Sequence, residues 1–584
     1  METQMEPARP SPTSAQAPTP REDTPSEVDR AVNVAADRAD DFRRLGPARK
    51  ADLLTLVTAS LAAVSADIVA LGCEAKGIVR GSPAEAEEWF AGPSIAVALA
   101  HQHAGSLRQI AKKGRPSLGI WATRRGPEGR LFTSLGPTLP GGIIVEAGLS
   151  FRVLHTEGTT KAQVKESQIA LAAGPREPGT TAVLGAGNVA SIPFGDVIHT
   201  LFVDGRTAVL KMNPVNAYLR DPFERALAPL IEPGYVQIVD GGAAVGAHLV
   251  ASKRITHVHL TGSAETHDRI VWGPPGAARD ERKASGKPLL GKPVTSELGN
   301  ISPILVTPYL YSTREIKAIA DSIATQLTNN ASFNCNAGKM LILPKGFPQR
   351  KLLLEAIEKA LASLPVRKAY YPGAHDRHRA LTSGRRGLLT IGTPTGDQLP
   401  WTLITDVDPG REGEPLFSTE PFCALLSVME LGSLDPAEYL EEVTSFCNDR
   451  LWGTLSACLF VPPLFEDDDA VEHAVNRAIL RLKYGAIGIN VWPALVYGTA
   501  RAPWGGHPTA TLADIQSGLG FVHNPLFLPH VEKTIVRGPL APFPRPPYLS
   551  GNPRGLATAR ALTAYAERPS NGRAFSVARA AVFG

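Results

Sequence analysis

The chain has 584 residues, too many for one compact core and suited to two to four domains. Its 43% hydrophobic and 20% charged residues are those of an ordinary folded protein, and a formal charge of +4 over this length gives no footing for a nucleic-acid partner. No continuous apolar run of about 18 residues occurs, and the N-terminus lacks the basic-then-apolar order of a secretory leader, so neither a membrane partner nor export is expected.

Residues 1–22 are rich in Pro, Ser, Thr and Ala and read as a disordered tail, because they offer too little apolar surface to bury. From Ser26 the pattern changes. Val28, Val32, Ala35 and Ala36 recur at helical spacing, and Leu53, Leu54, Val57, Leu61 and Val64 resume it after Gly46-Pro47. Two or three amphipathic helices are predicted there. Between about 115 and 180, Gly and Pro punctuate short apolar runs such as Gly142-Ile143-Ile144-Val145, a pattern that suits hairpins better than helices.

From about 180 to 300, apolar strands at Thr181–Leu184, Thr207–Leu210, Tyr235–Val239 and Thr256–Leu260 alternate with helical stretches near Val197–Phe202 and Ala244–Ala251. That alternation predicts β-α-β units and a parallel sheet. A second α/β stretch runs from about 300 to 490, with a helix over Lys351–Leu364 and a strand over Ala457–Val461. The last sixty residues are rich in Pro and Arg, with one helical run near Leu556–Ala566.

The five cysteines, Cys73, Cys335, Cys423, Cys447 and Cys458, are odd in number and lack Cys-x-x-Cys spacing. They form neither a disulfide framework nor a zinc site, which predicts no bound metal, a cytoplasmic setting and room for a reactive thiol. Taken singly, each reads as a small buried apolar residue.

Four segments stand out together. Gly185-Ala186-Gly187-Asn188-Val189-Ala190 is followed by Lys211. Thr261-Gly262-Ser263 follows a strand. Glu297-Leu298-Gly299-Asn300-Ile301-Ser302-Pro303 precedes one. Asn334-Cys335-Asn336-Ala337-Gly338 comes 38 residues after Glu297, with Glu420-Pro421-Phe422 downstream. Gly185-x-Gly187-x-x-Ala190 mimics a dinucleotide fingerprint, but Lys211 holds the place of its ribose-binding acid. In this order the set resembles the aldehyde dehydrogenase superfamily, from about Ser26 to about Val536.

The resemblance implies an α/β fold with a Rossmann-type cofactor domain over 23–296, containing an oligomerisation hairpin within 120–155. It further implies a catalytic domain over 297–497, a return to the cofactor domain with an oligomerisation strand over 498–540, and an extension over 541–584. It implies an aldehyde substrate, NAD or NADP as cofactor, and a homodimer or homotetramer in which the hairpin completes a partner's sheet. Cys335 would add to the aldehyde as nucleophile. Asn188 and the Cys335 backbone N–H would hold the oxyanion. Glu297 would activate the water that releases the acid. Lys211, Gly262, Ser263, Glu420 and Phe422 would contact the cofactor, the helix end after Ser263 lying near its pyrophosphate.

Taken alone, Glu297 could be a surface carboxylate, Asn188 a turn or N-cap residue, and Lys211 a solvated strand end. Two other readings stay open: a dehydrogenase that passes the acyl group to coenzyme A, and a catalytically silent binding protein. The chain also departs from the family pattern. Gly187 replaces the tryptophan before the asparagine, Asn300 a glycine, and Phe333-Asn334 the usual Gly-Gln. Roughly Pro274 to Lys287 is inserted. Pro214 stands where NAD-preferring relatives place a glutamate, so cofactor choice is expected to be permissive, leaning to NADP. Trp492 and Tyr497 fall where relatives line the substrate mouth.

Overall fold

The computed structural model describes residues 21–119, 122–137 and 139–584. The tail expected over 1–22 therefore lies outside the described residues except for Arg21 and Glu22. These two run against the turn at Asp240, where the Asp23 N–H donates to the Asp240 carbonyl.

Three helices open the fold. Pro25–Asp37 starts at Thr24, whose hydroxyl accepts from the Glu27 N–H while Glu27 caps in return. Ala39–Arg44 follows. Pro47–Ala75 begins on Gly46 with Pro47 in its first turn, where a missing N–H costs nothing. This 29-residue helix is long and apolar enough to cross a membrane by length and composition, which a search for an unbroken apolar run does not register. Ser, Thr and charged residues interrupt the run while Ala, Leu and Val keep the average high. Its buried face packs on the helices Ile95–Lys113 and Arg220–Ile231.

The first sheet has five parallel strands in the order Val236–Val239, Thr207–Lys211, Thr180–Leu184, His257–Gly262, Val294–Leu298. Strand order reverses beside Thr180–Leu184, and a crevice opens outside the carboxyl ends at such a switch. Only Gly299-Asn300-Ile301 separates this sheet from Ser302–Val306, an interior strand of the second. Ser302–Val306 and Gly338–Leu343 are buried throughout, as strands with both faces covered must be.

The second sheet has eleven strands. From Ser302–Val306 it continues one way through Gly338–Leu343, Leu425–Glu430, Trp401–Ile404 and Leu388–Ile391. The other way it runs through Ser456–Phe460, Ala486–Ile489 and Val531–Arg537 to the antiparallel strands Ser150–His155, Leu131–Ser134 and Thr123–Arg125. Val531–Arg537 pairs in parallel with Ala486–Ile489 and antiparallel with Ser150–His155, joining the antiparallel strands to the second sheet within one chain. Gly142–Val145 differs from the hairpin that its sequence suits: it is one helical turn entered through Gly141 in the left-handed region, packed under the last helix of the chain.

Within 498–540 the chain runs beside the edge of the first sheet. Ser296 and Leu298 donate to the carbonyls of Leu519 and Ser517 before the chain enters Val531–Arg537. The extension contains two helices, Gly555–Glu567 and Asn571–Phe583. The second escaped the sequence because Phe575 and Val577 are isolated among Ala and Arg. The insertion near 274–287 forms the helix Ala277–Ser285, braced on the helix Ala264–Val271 by Lys283–Asp268 and Arg279–Glu265 ion pairs.

Candidate active site

Cys335 follows a strained turn. Asn330, Ala331 and Ser332 all lie in the left-handed region, at φ of 53°, 54° and 71°. Each costs about 1–2 kcal/mol for a residue with a Cβ, so the turn must be held from outside. Asn330 does much of this: its amide donates to the carbonyls of Asn188 (3.0 Å) and Phe333 (3.2 Å) and to Asn334 Oδ1 (3.0 Å). Its backbone N–H donates to Glu87 Oε2 at 2.9 Å. Lys339 Nζ reaches the Ser332 carbonyl, and Trp492 Nε1 the Asn336 carbonyl.

The Asn188 loop is tied to the same framework. Buried Lys76 pairs with Glu88 (2.8 Å) and donates to the Asn188 carbonyl (3.1 Å) and Asn330 Oδ1 (3.0 Å). The Tyr370 hydroxyl donates to those same two oxygens. The Asn188 side chain donates to the Phe333 carbonyl at 2.9 Å, locking one loop to the other. Gly187 leaves room for Asn213: a Cβ there would come within 2.7 Å of its side chain. At Gly185 a Cβ would come within 2.9 Å of Pro193. The fingerprint-like glycines thus serve packing.

Glu297 lies near the end of its strand and is 3% exposed. Trp504 Nε1 donates to Oε1 at 2.7 Å, while Oε2 has no partner among the described residues. Burial, and next the Asp196 carboxylate, push its pKa up to about 8 against the Trp504 hydrogen bond. Asp196 is itself held by Thr261 Oγ1 at 2.9 Å and lies 3.3 Å from His259 Nε2. The half-buried Cys335 thiol is pushed well up, by burial first and by the Glu297 and Glu420 carboxylates. Cys335, Asn188 and Glu297 share one cavity of about 850 Å³ with Trp492 and Tyr497.

Glu420 and Phe422 lie behind the nucleophile. The Glu420 carboxylate fills the space a side chain at Gly299 would need, and its Oε1 is buried without a partner among the described residues. Burial raises its pKa, while Lys339 and Arg377 oppose the rise. Phe422 stands 5.7 Å, ring to ring, from Phe333. Lys211 ends its strand, and burial lowers its pKa while Asp240 and Glu22 oppose the shift. Gly262 and Ser263 are exposed, and the Ser263 hydroxyl accepts from the Thr266 N–H to cap Ala264–Val271.

Three of the eight residues singled out, Cys335, Asn188 and Glu297, therefore meet at the cavity. Glu420 and Phe422 back it, and Lys211, Gly262 and Ser263 lie along the crevice of the first sheet. Sequence reasoning missed Lys76, Asn330, Tyr370 and Trp504. A buried lysine has no sequence signature, but Pro503-Trp504-Gly505-Gly506 is a turn signal whose tryptophan could have been weighed.

The sequence profile of the aldehyde dehydrogenase family matches residues 179–518, more than half of the chain. The chain belongs to the aldehyde dehydrogenase family. Aldehyde dehydrogenase B of Escherichia coli (strain K12) is 24% identical over 360 residues, covering 56% of this chain and 60% of that protein. Two solved structures share the fold. Mycobacterium tuberculosis aldehyde dehydrogenase, complexed with NAD+, is 17% identical with a TM-score of 0.59, over 90% of this chain and 92% of that one. The NADP-dependent glyceraldehyde-3-phosphate dehydrogenase of Bacillus halodurans C-125, complexed with NADP, is 19% identical with a TM-score of 0.57, over 88% and 92%. In this family setting Asn300 is a substitution with a visible purpose. Its amide donates to the Ser456 carbonyl and its Oδ1 accepts from Ser302, stitching the link between the two sheets.

Proposed function

We propose that the chain oxidises an aldehyde to a carboxylic acid with NAD or NADP, through a thioester on Cys335. The observation that carries this reading is the convergence of Cys335, Asn188 and the unpartnered Glu297 Oε2 on one cavity. Cys335 Sγ bonds to the carbonyl carbon as the C=O π-bond breaks onto oxygen, and the thiol proton passes to solvent. The Asn188 amide and the Cys335 N–H are assigned to the oxyanion, a class of donor whose loss costs about 10²–10³ in rate. Loss of hydride from that carbon leaves the thioester. Glu297 then takes a proton from water, whose oxygen attacks the carbon, and the C–S bond breaks to release the acid.

NAD or NADP would supply the hydride acceptor. The residues present fit a dinucleotide in two respects. The crevice at the strand-order switch carries a helix N-terminus opened by Ser263. The orphaned Glu420 Oε1 awaits a hydroxyl donor. Lys211, Gly262, Ser263, Glu420 and Phe422 would hold the cofactor. A reduced nucleophile suits a cytoplasmic setting, and a homodimer or homotetramer belongs to the same reading. Incubation with an aldehyde panel and NAD or NADP, with and without coenzyme A, tests it. Reduced nicotinamide and free acid are expected without coenzyme A. Turnover that requires coenzyme A would overturn the hydrolytic step, and no turnover with any aldehyde the reading itself.

A further inference from the structure

The reading above leaves the aldehyde unnamed, and the cavity bears on it. At about 850 Å³ it stands in the upper part of the roughly 300–1,000 Å³ range of small-molecule sites. A two- or three-carbon aldehyde needs far less. Cys335, Asn188 and Glu297 form one end. The far wall comes from beyond residue 518, where the family match stops: Leu562, Tyr565, Val577, Ala578 and Ala581 line it.

That wall is fastened down. The Tyr565 hydroxyl donates to the Pro140 carbonyl at 3.0 Å, and Tyr565, Ala574 and Val577 form an apolar cluster with Leu139, Ile144 and Val145. Gly141 passes so close to Ala574 that a side chain there would overlap it. Across the other helix, the Ser94 and Thr563 hydroxyls lie 2.6 Å apart, and Arg560 pairs with Glu85 at 2.9 Å. Exposed Arg314 and Lys317 line another part of the cavity, on the helix Thr313–Thr328, which marks its mouth.

Apart from Glu297 beside the nucleophile and exposed Arg314 at the mouth, which reaches only the Ala541 carbonyl, the charged groups along the cavity are paired among the described residues. Arg501 and Glu146 hold each other through two hydrogen bonds of 2.7 and 2.8 Å. Asp321 is met by Lys317 and Arg545, and Glu87 by Arg367. Unpartnered polar atoms of the lining belong to Glu297, Asn336, Thr499 and Arg501, and none to Leu562, Tyr565, Val577, Ala578 or Ala581, so a charge or hydroxyl set against that far wall would be buried without a partner, which is costly.

We propose that this cavity takes the chain of a long, unbranched apolar aldehyde, with the helices Gly555–Glu567 and Asn571–Phe583 closing its far end. The inference rests on the oxidation proposed above. A chain entering between Thr313–Thr328 and the proline-rich segment would put its carbonyl at Cys335 and its tail against Val577 and Ala578.

The test is kcat/KM for propanal, hexanal and decanal, together with calorimetric binding of decanol, which needs no turnover. Burial of a methylene raises binding by at most about fourfold, ~0.8 kcal/mol. The expected result is a rise of at least a hundredfold from propanal to decanal. Ala578→Trp should cut the decanal-to-propanal ratio at least tenfold and weaken decanol binding by a similar factor. Ala581→Phe, one turn on, serves if the first variant does not fold. A flat or falling chain-length profile overturns the inference, as does a plug that leaves ratio and decanol affinity unchanged. If no aldehyde is turned over, the oxidation reading fails, and decanol binding with its loss in the plugged variants still decides what the cavity holds.

Discussion

The two ends of the cleft are built differently. At the nucleophile end, two loops from different sheets are cross-linked by Lys76, Asn330, Tyr370 and the Asn188 side chain, all but Tyr370 buried. At the other end, Lys211, Gly262 and Ser263 are half-buried or exposed, and among the described residues the Ser263 hydroxyl bonds only to Thr266 of the helix that it caps. A turn with three consecutive left-handed residues is kept only where its surroundings over-determine it. Geometry is thus fixed where bonds would form and break. At the other end, strand ends and a helix N-terminus form the crevice, with no comparable set of side-chain cross-links among the described residues.

The largest effect should follow loss of the thiol. Cys335→Ala is expected to abolish aldehyde oxidation while NAD or NADP still binds, read as reduced-nicotinamide absorbance beside a cofactor titration. Turnover near the native rate would remove Cys335 from the chemistry. Glu297→Gln should act later in the cycle. It should give a burst of reduced nicotinamide near one equivalent per site, then almost none, with the acyl group visible as added mass on Cys335.

The native enzyme sharpens that prediction through pH. Glu297 must be ionised to take a proton from water, and its pKa is held up to about 8. Deacylation should therefore rise with pH and level off above about 8, and the rising limb should vanish in Glu297→Gln. In the acyl-enzyme Cys335 carries no ionisable thiol, so the limb reports Glu297 and the Asp196 carboxylate that helps to raise it. A flat profile between pH 6 and 9 would mean that another group activates the water.

Next comes the framework. Lys76→Met removes the cation from a buried pair and strands Glu88, a change that costs about 3–5 kcal/mol. A matching loss in denaturant unfolding is expected, with kcat/KM falling as the two loops loosen. A variant as stable as the native chain would show that the loops hold themselves.

Much of this was legible in sequence, for identifiable reasons. Strands such as Thr207–Lys211 and Ser456–Phe460, and helices such as Ser191–Phe202, announced themselves because apolar runs bounded by Gly and Pro suit sheets covered on both faces. Cys335, Asn188 and Glu297 were found through motif order. Lys76 and Tyr370 were not, because they act through carbonyl oxygens over 100 residues away, and no local pattern encodes that. The pairing of Val531–Arg537 within its own chain was equally invisible, since sequence fixes a strand's faces but not which edge it joins. Gly142–Val145 read as a strand because four residues are too few to show a helical period.

The smallest expected effect probes the looser end. Sequence alone leans to NADP, since Pro214 leaves no carboxylate to repel a 2′-phosphate. The fold returns negative charge from elsewhere. Asp240 and Glu22 both act on Lys211, and Glu22 lies over the Gly241 turn, where a Cβ would stand 3.3 Å from its Cγ. Asp240 is committed to Arg220 at 2.8 Å, whereas Glu22 makes no hydrogen bond or ion pair among the described residues. An exposed charge about 4 Å from another contributes on the order of 1 kcal/mol in water, or about fivefold. Glu22→Gln should therefore shift the NADP-to-NAD ratio of dissociation constants toward NADP by about three- to tenfold, with kcat little changed. Salt should shrink the shift, because the interaction is screened within about 10 Å at 0.1 M. If the ratio stays put at low salt, Lys211 and Pro214 set the preference and Glu22 has no part in recognition.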